Sequence, residues 1–286
     1  MTSQDSMESH EVEAETVPVT SPPGQGRAPA MGGLEAIHRM FPCPLVVRGG
    51  TFELPPETEW HAVLTAARPR LEAMVGAVGR LECPELGPAM QLGTAWLVRD
   101  DVAVTNRHAL LPFLDDMERG TRSFRIDLCA EVGSEADLRC PVLRVLYLAP
   151  DLDLAFVQVA QLRSPRPAIP IVDTIVPEHP VAVIGFPHDE AAEYGSEAYQ
   201  QCFKDGFDRE GRGFKRISLG HLTGMTHAVV EHDCTTLGGS SGSVIVDLVR
   251  GAAIGLNFGQ SFETMLNSGV PGWLVRERLA RLERFG

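Results

Sequence analysis

The segment Thr235-Thr236-Leu237-Gly238-Gly239-Ser240-Ser241-Gly242-Ser243 sets two hydroxyls among glycines just ahead of an apolar run. Glycine lets the backbone turn tightly, and successive inward-pointing amides form a concavity that holds an anion. A serine in such a loop can attack an acyl carbon while the amides stabilise the oxyanion that develops. The same letters would also serve as a plain Gly/Ser turn between two strands. A Walker-type phosphate loop is excluded, because no lysine follows the glycines and the next element reads as a strand.

A serine is a weak nucleophile at neutral pH and needs a base to take its proton. Gly-x-Ser-x-Gly centred on Ser240 also fits the nucleophile elbow of α/β-hydrolases, but that arrangement supplies its histidine after the serine. Here the last histidine is His232 and the last lysine Lys215, so any base lies upstream. Among the nine histidines, His108 has the most telling context. Gly93-Thr94-Ala95-Trp96-Leu97-Val98, a turn at Asp100-Asp101 and Val102-Ala103-Val104-Thr105-Asn106-Arg107-His108 read as a hairpin with the histidine at its far end. A lone histidine there would otherwise be a cap or a surface residue.

This stretch resembles the Gly-Thr-Gly … Val-Thr-x-x-His signature of trypsin-like serine proteases, in particular the bacterial HtrA-like and glutamyl-endopeptidase-like branches. Asp153-Leu154-Ala155-Phe156-Val157 is similar to the segment carrying that family's catalytic aspartate, and Gly239-Ser240-Ser241-Gly242-Ser243 to its Gly-x-Ser-Gly-[Gly/Ser] motif. The three motifs stand in the family's His, Asp, Ser order. The likeness covers about residues 90 to 272 and closes on Asn267-Ser268-Gly269-Val270-Pro271. It implies a serine endopeptidase with Ser241 as nucleophile, His108 as general base and Asp153 orienting the base, with Asp151 as the runner-up acid. It also implies an oxyanion hole from the N–H groups of Gly239 and Ser241. Thr235, Thr236, Asn257, Phe258 and Gly259 fall at the substrate-binding positions. Thr235 lacks the carboxylate that makes trypsin prefer Arg or Lys. Glutamyl endopeptidases share a Thr at 236 but carry His where this chain has Asn257. Ser240 replaces the aspartate that pairs with a new N-terminus in many secreted relatives, so activation by that route is not expected. No metal or cofactor is implied. The alternatives are a catalytically silent peptide-binding module and an esterase on the same fold.

Those residues need a scaffold, and the chain provides one. After about residue 89 come many short apolar or alternating runs, among them Leu92 to Val98, Val142 to Leu148, Val181 to Phe186 and Ala252 to Phe258. Such runs indicate an all-β core, which the family resemblance specifies as two six-stranded antiparallel β-barrels of the chymotrypsin fold with the site between them. We expect barrel 1 over about 89–165, barrel 2 over about 178–270 and an amphipathic C-terminal helix over 273–285, its arginines being a solvated face. Residues 31–88 read as a helical appendage packed on the protease, with helices at Leu34 to Phe41 and over Glu57 to Val78, the latter interrupted by Pro69. Residues 1–30, rich in Glu, Ser, Thr, Pro and Gly, read as a disordered acidic tail. Pro187 to Gly213 is too polar for core and too long for a simple turn.

The whole chain narrows the partners. Its 286 residues, 44% hydrophobic and 22% charged, suit a folded globular protein. A net charge of −13 disfavours nucleic acid and anionic membranes, which leaves a protein or peptide substrate and, by the resemblance, a regulatory or effector partner. His221, His227, His232 and Cys234 lack the spacing of a metal site. The six cysteines are scattered and the N-terminus has no signal-peptide pattern, so we expect buried thiols rather than disulfides, in a bacterial cytoplasm.

Overall fold

The structure is a computed structural model that describes residues 42–56, 58–87, 90–189, 197–203, 205–260 and 266–285. The expected acidic tail and the helix at Leu34 to Phe41 lie outside those residues. A short hairpin, β1 (Leu45–Arg48) and β2 (Thr51–Phe52), precedes helix α1 (Glu59–Val75). Strands β3 (Val78–Glu82), β4 (Gln91–Arg99) and β5 (Val102–Thr105) follow, then the short helices α2 (Arg107–Leu110) and α3 (Leu114–Arg119). Strands β6 (Phe124–Asp127), β7 (Arg139–Leu148) and β8 (Ala155–Val159) complete a first closed antiparallel barrel in the order β3-β4-β5-β8-β7-β6.

The second barrel begins with β9 (Pro180–Gly185), helix α4 (Glu197–Phe203), β10 (Arg216–Met225) and β11 (Val230–His232). It ends with β12 (Val244–Asp247), β13 (Ala252–Gln260) and β14 (Asn267–Pro271), followed by helix α5 (Gly272–Phe285). Its strands run β11-β14-β13-β12-β9-β10, and the β10–β11 pairing closes the ring; β1 adds to the outside of β10. These are two six-stranded antiparallel barrels in the chymotrypsin arrangement. Successive strand residues point to opposite faces. Thus Val181 and Val183 of β9 enter the small core of the second barrel, while Ala182 and Ile184 join the large core shared with the first. Burial on both faces explains why β9 is uninterruptedly apolar.

The first barrel starts at Val78, not near residue 89. β3 pairs with both β4 and β6, so the ring does not close without it. The sequence Val-Gly-Arg-Leu-Glu hides this strand because Arg80 and Glu82 are buried as an ion pair at 2.7 Å rather than exposed. Helix α1 is capped by Thr58, whose hydroxyl accepts from Trp60 N, and runs through Pro69 without stopping. Trp60, Leu64, Leu71 and Met74 recur at helical spacing along one face and enter the large core, which holds the helix despite the proline's missing N–H.

One feature overturns an expectation. Cys43 and Cys202 form a disulfide across 159 residues, whereas Cys83, Cys129, Cys140 and Cys234 are free. The scattered spacing concealed the pair because its two halves meet only in the folded chain. Lys215 is also fully buried where the barrels meet. Its Nζ donates to Glu131 Oε1 at 3.0 Å, Leu128 O at 2.8 Å and Val75 O at 2.9 Å.

Candidate active site

The pairing of β5 with β8 sets Thr105 opposite Ala155, and this register brings the turn after β5 beside the turn before β8. His108 in α2 and Asp153 thereby meet although 45 residues separate them. His108 Nδ1 lies 2.6 Å from Asp153 Oδ2, and the His108 backbone N–H donates to Asp153 Oδ1 at 2.9 Å. Buried Asn106 fixes the aspartate loop by donating from Nδ2 to Asp153 O at 2.8 Å. Asp151 takes no part in this contact. Its carboxylate pairs with Arg278 of α5 at 2.7 Å. Beside the pair is a cleft of about 380 Å³ lined by Arg107, His108, Leu111, Pro150, Asp151, Leu152 and Asp153.

Ser241 stands just before β12 and is held against the first barrel. Its carbonyl accepts from Thr94 N at 2.8 Å. Gly93 lies between the two halves of the site, since a Cβ there would meet Ser241 O at 2.8 Å and Ala109 Cβ, next to His108, at 3.9 Å. Gly242 has φ +86, and a Cβ on it would meet Thr94 O at 2.0 Å, so only glycine lets the serine loop lie this close to β4. Among the described residues, Ser241 Oγ and His108 Nε2 make no hydrogen bond. Ser240 is buried at 5% exposure, and its hydroxyl accepts from Leu237 N. Of the two serines in the loop, Ser241 is the more exposed.

Leu237 to Ser240 form a tight turn closed by Ser240 N donating to Leu237 O at 3.1 Å, with φ +79 at Gly239. A positive φ at the third position of such a turn is the type II signature. The Gly238 carbonyl accepts from His188 N at 2.6 Å. A trans peptide sets its C=O and N–H on opposite sides, so the Gly239 N–H points away from His188.

Of the expected substrate-binding residues, Asn257 hydrogen-bonds to the serine loop itself. Thr236 Oγ1 donates to Asn267 Oδ1 at 2.5 Å, and Asn267 Nδ2 to Cys234 O at 2.6 Å. Asn257 is buried, its Nδ2 donating to Ser240 O at 3.0 Å and its Oδ1 facing His232 Nε2 at 3.1 Å. Burial pushes the pKa of His232 down to about 4, so its ring is neutral and donates to Asn257. Thr235 lines a cavity of only about 10 Å³ with Ser240, Phe203 and Arg216. Phe258 packs on the large core, and a Cβ on Gly259 would meet nothing within 4 Å. His221 instead packs against Trp60, with the ring planes tilted by 42° and the centroids 5.1 Å apart. Sequence reasoning placed Thr94 and Asn267 in family motifs without giving either a role, and it missed His188, which carries no local signal.

The chain matches the trypsin-like peptidase domain family over residues 93–256, more than half of its length. A comparison with curated proteins finds no match. Among solved structures, an inactive serine-to-alanine mutant of Rv3671c from M. tuberculosis H37Rv is similar at 14% identity and TM-score 0.51, covering 81% of this chain and 97% of that one. Deg5 is similar at 18% identity and TM-score 0.54, covering 78% and 95%. A serine endoprotease from Yersinia pestis is similar at 18% identity and TM-score 0.53, covering 81% and 68%. At these identities the neighbours speak for the fold, and the family match says whose domain it is: the chain belongs to the trypsin-like peptidase family.

Proposed function

We propose that the protein is a serine endopeptidase that cleaves peptide bonds through an acyl-enzyme on Ser241. The observation that carries this reading is the His108–Asp153 contact at 2.6 Å, set beside a serine loop locked to β4. An ionised Asp153 accepts the Nδ1 proton and leaves Nε2 as the free base. As Ser241 Oγ bonds to the substrate carbonyl carbon, its proton passes to His108 Nε2. The carbonyl electron pair moves to oxygen, which the N–H groups of Gly239 and Ser241 receive. Collapse of that intermediate expels the amine, which takes the proton from His108. Water then repeats the sequence and frees the acid. Catalytic hydrogen bonds in an empty site are commonly long and tighten with substrate, so His108 and Ser241 need not touch beforehand.

The polar groups behind Ser241 are uncharged Thr, Asn and neutral His. They support a preference other than Arg or Lys for the residue before the scissile bond. Ser240 offers no carboxylate for a new N-terminus, which favours control by a protein partner over proteolytic activation. Digestion of an unbiased peptide library followed by mass spectrometry tests the reading. Wild type should cleave at a defined set of bonds and Ser241→Ala at none. Equal cleavage by both, or cleavage dominated by Arg and Lys, would contradict it.

A further inference from the structure

The geometry points to Gln91, on the first strand of the Gly-Thr hairpin, as a positioning residue for the oxyanion turn; this rests on the peptidase reading above. Gln91 is polar yet only 3% exposed, and both ends of its amide are committed. Nε2 donates to Phe186 O at 2.6 Å, and Oε1 accepts from Gly213 N at 3.0 Å. One side chain of the first barrel thus fastens the two ends of the long Pro187 to Gly213 segment. Arg80 adds to the same stem by donating from Nη1 to Gly213 O at 2.8 Å.

The stem leads directly to the turn. Two residues after Phe186, the His188 N–H holds the Gly238 carbonyl at 2.6 Å. A Cβ on Gly239 would meet His188 Cδ2 at 2.5 Å, Gln91 Nε2 at 2.6 Å and Phe186 O at 2.7 Å. The amide of Gln91 therefore packs against Gly239 itself as well as against the strand end that delivers His188. The His188 residue is half-buried, and the burial of its ring lowers its pKa. Without the Gln91 amide, Phe186 O and Gly213 N lose their partners inside the protein. The strand end that aims His188 N at Gly238 is then free to shift. A shift of His188 N weakens its hold on the Gly238 carbonyl and turns the peptide between Gly238 and Gly239, which moves the Gly239 N–H off the oxyanion. The cleft beside His108 and Asp153 shares no lining residue with this series of contacts.

The test compares wild type, Gln91→Met and Gln91→Glu on a fluorogenic peptide built from the preferred library sequence and on a peptide boronate of the same sequence. Rates are normalised by active-site titration, and thermal denaturation reports folding. Losing one oxyanion donor costs about 10²–10³ in kcat. Gln91→Met should lower kcat about 100-fold, leave KM within about threefold and weaken the boronate in proportion to kcat. Gln91→Glu should recover toward wild type as pH falls, because a protonated carboxyl can donate to Phe186 O and accept from Gly213 N. It carries the test if Gln91→Met does not fold. A folded variant with wild-type kcat, or a Glu variant whose kcat relative to wild type ignores pH, would overturn the assignment. A wild type that turns over nothing would instead remove the peptidase reading on which it rests.

Discussion

Arg278 of α5 reaches Asp151 at 2.7 Å, two residues from Asp153, so the C-terminal helix braces the loop that presents the aspartate. The guanidinium side is 9% exposed and the carboxylate 58%, which places the pair between a solvated and a buried ion pair. Arg278→Met should cost about 1–2 kcal/mol of stability. It should lower kcat less than about tenfold, because Asp153 keeps its bonds to His108 and Asn106. Chemical denaturation together with steady-state kinetics checks both figures.

Lys215 and Glu131 form a buried pair where the barrels meet. Removing one partner strands the other charge without water, a loss of about 3–5 kcal/mol. Lys215→Met should show that loss in urea titration. The double variant Lys215→Met/Glu131→Gln should regain most of it, since no lone charge then remains.

His232 gives stability a pH dependence whose sign follows from burial. Its folded pKa is about 4 against an ordinary 6.5, so between those values the unfolded chain binds more protons than the folded one. Stability therefore falls as pH drops through that window, by about 3 kcal/mol in all. His232→Gln, which keeps a donor for Asn257, should flatten this part of the profile when denaturation is followed from pH 7 to pH 4.

The disulfide makes a countable prediction. Alkylation of the denatured, unreduced protein should modify four cysteines, and prior reduction should expose two more. Cys43→Ser should lower stability by about 2–4 kcal/mol, provided the protein is made under oxidising conditions.

What could be read from the sequence follows from how far each contact reaches along the chain. His108, Asp153 and Ser241 sit in short segments whose letters carry their own context, and the alternation around them announced an all-β core. Strand β3 escaped because its charged residues face each other inside the protein, where a binary pattern takes them for surface. Gln91, Lys215 and the Cys43–Cys202 pair act on partners 84 to 159 residues away, and nothing beside them in sequence marks those partners. Helix α1 was legible from its apolar face even though Pro69 suggested a break.

A fluorophosphonate probe reacts with an activated serine. Incubation of the protein with such a probe, followed by intact-mass measurement of wild type, Ser241→Ala and Ser240→Ala, shows whether Ser241 is that nucleophile. A single adduct is expected on wild type and on Ser240→Ala, and none on Ser241→Ala. No adduct on wild type, or an adduct that survives in Ser241→Ala, would contradict it.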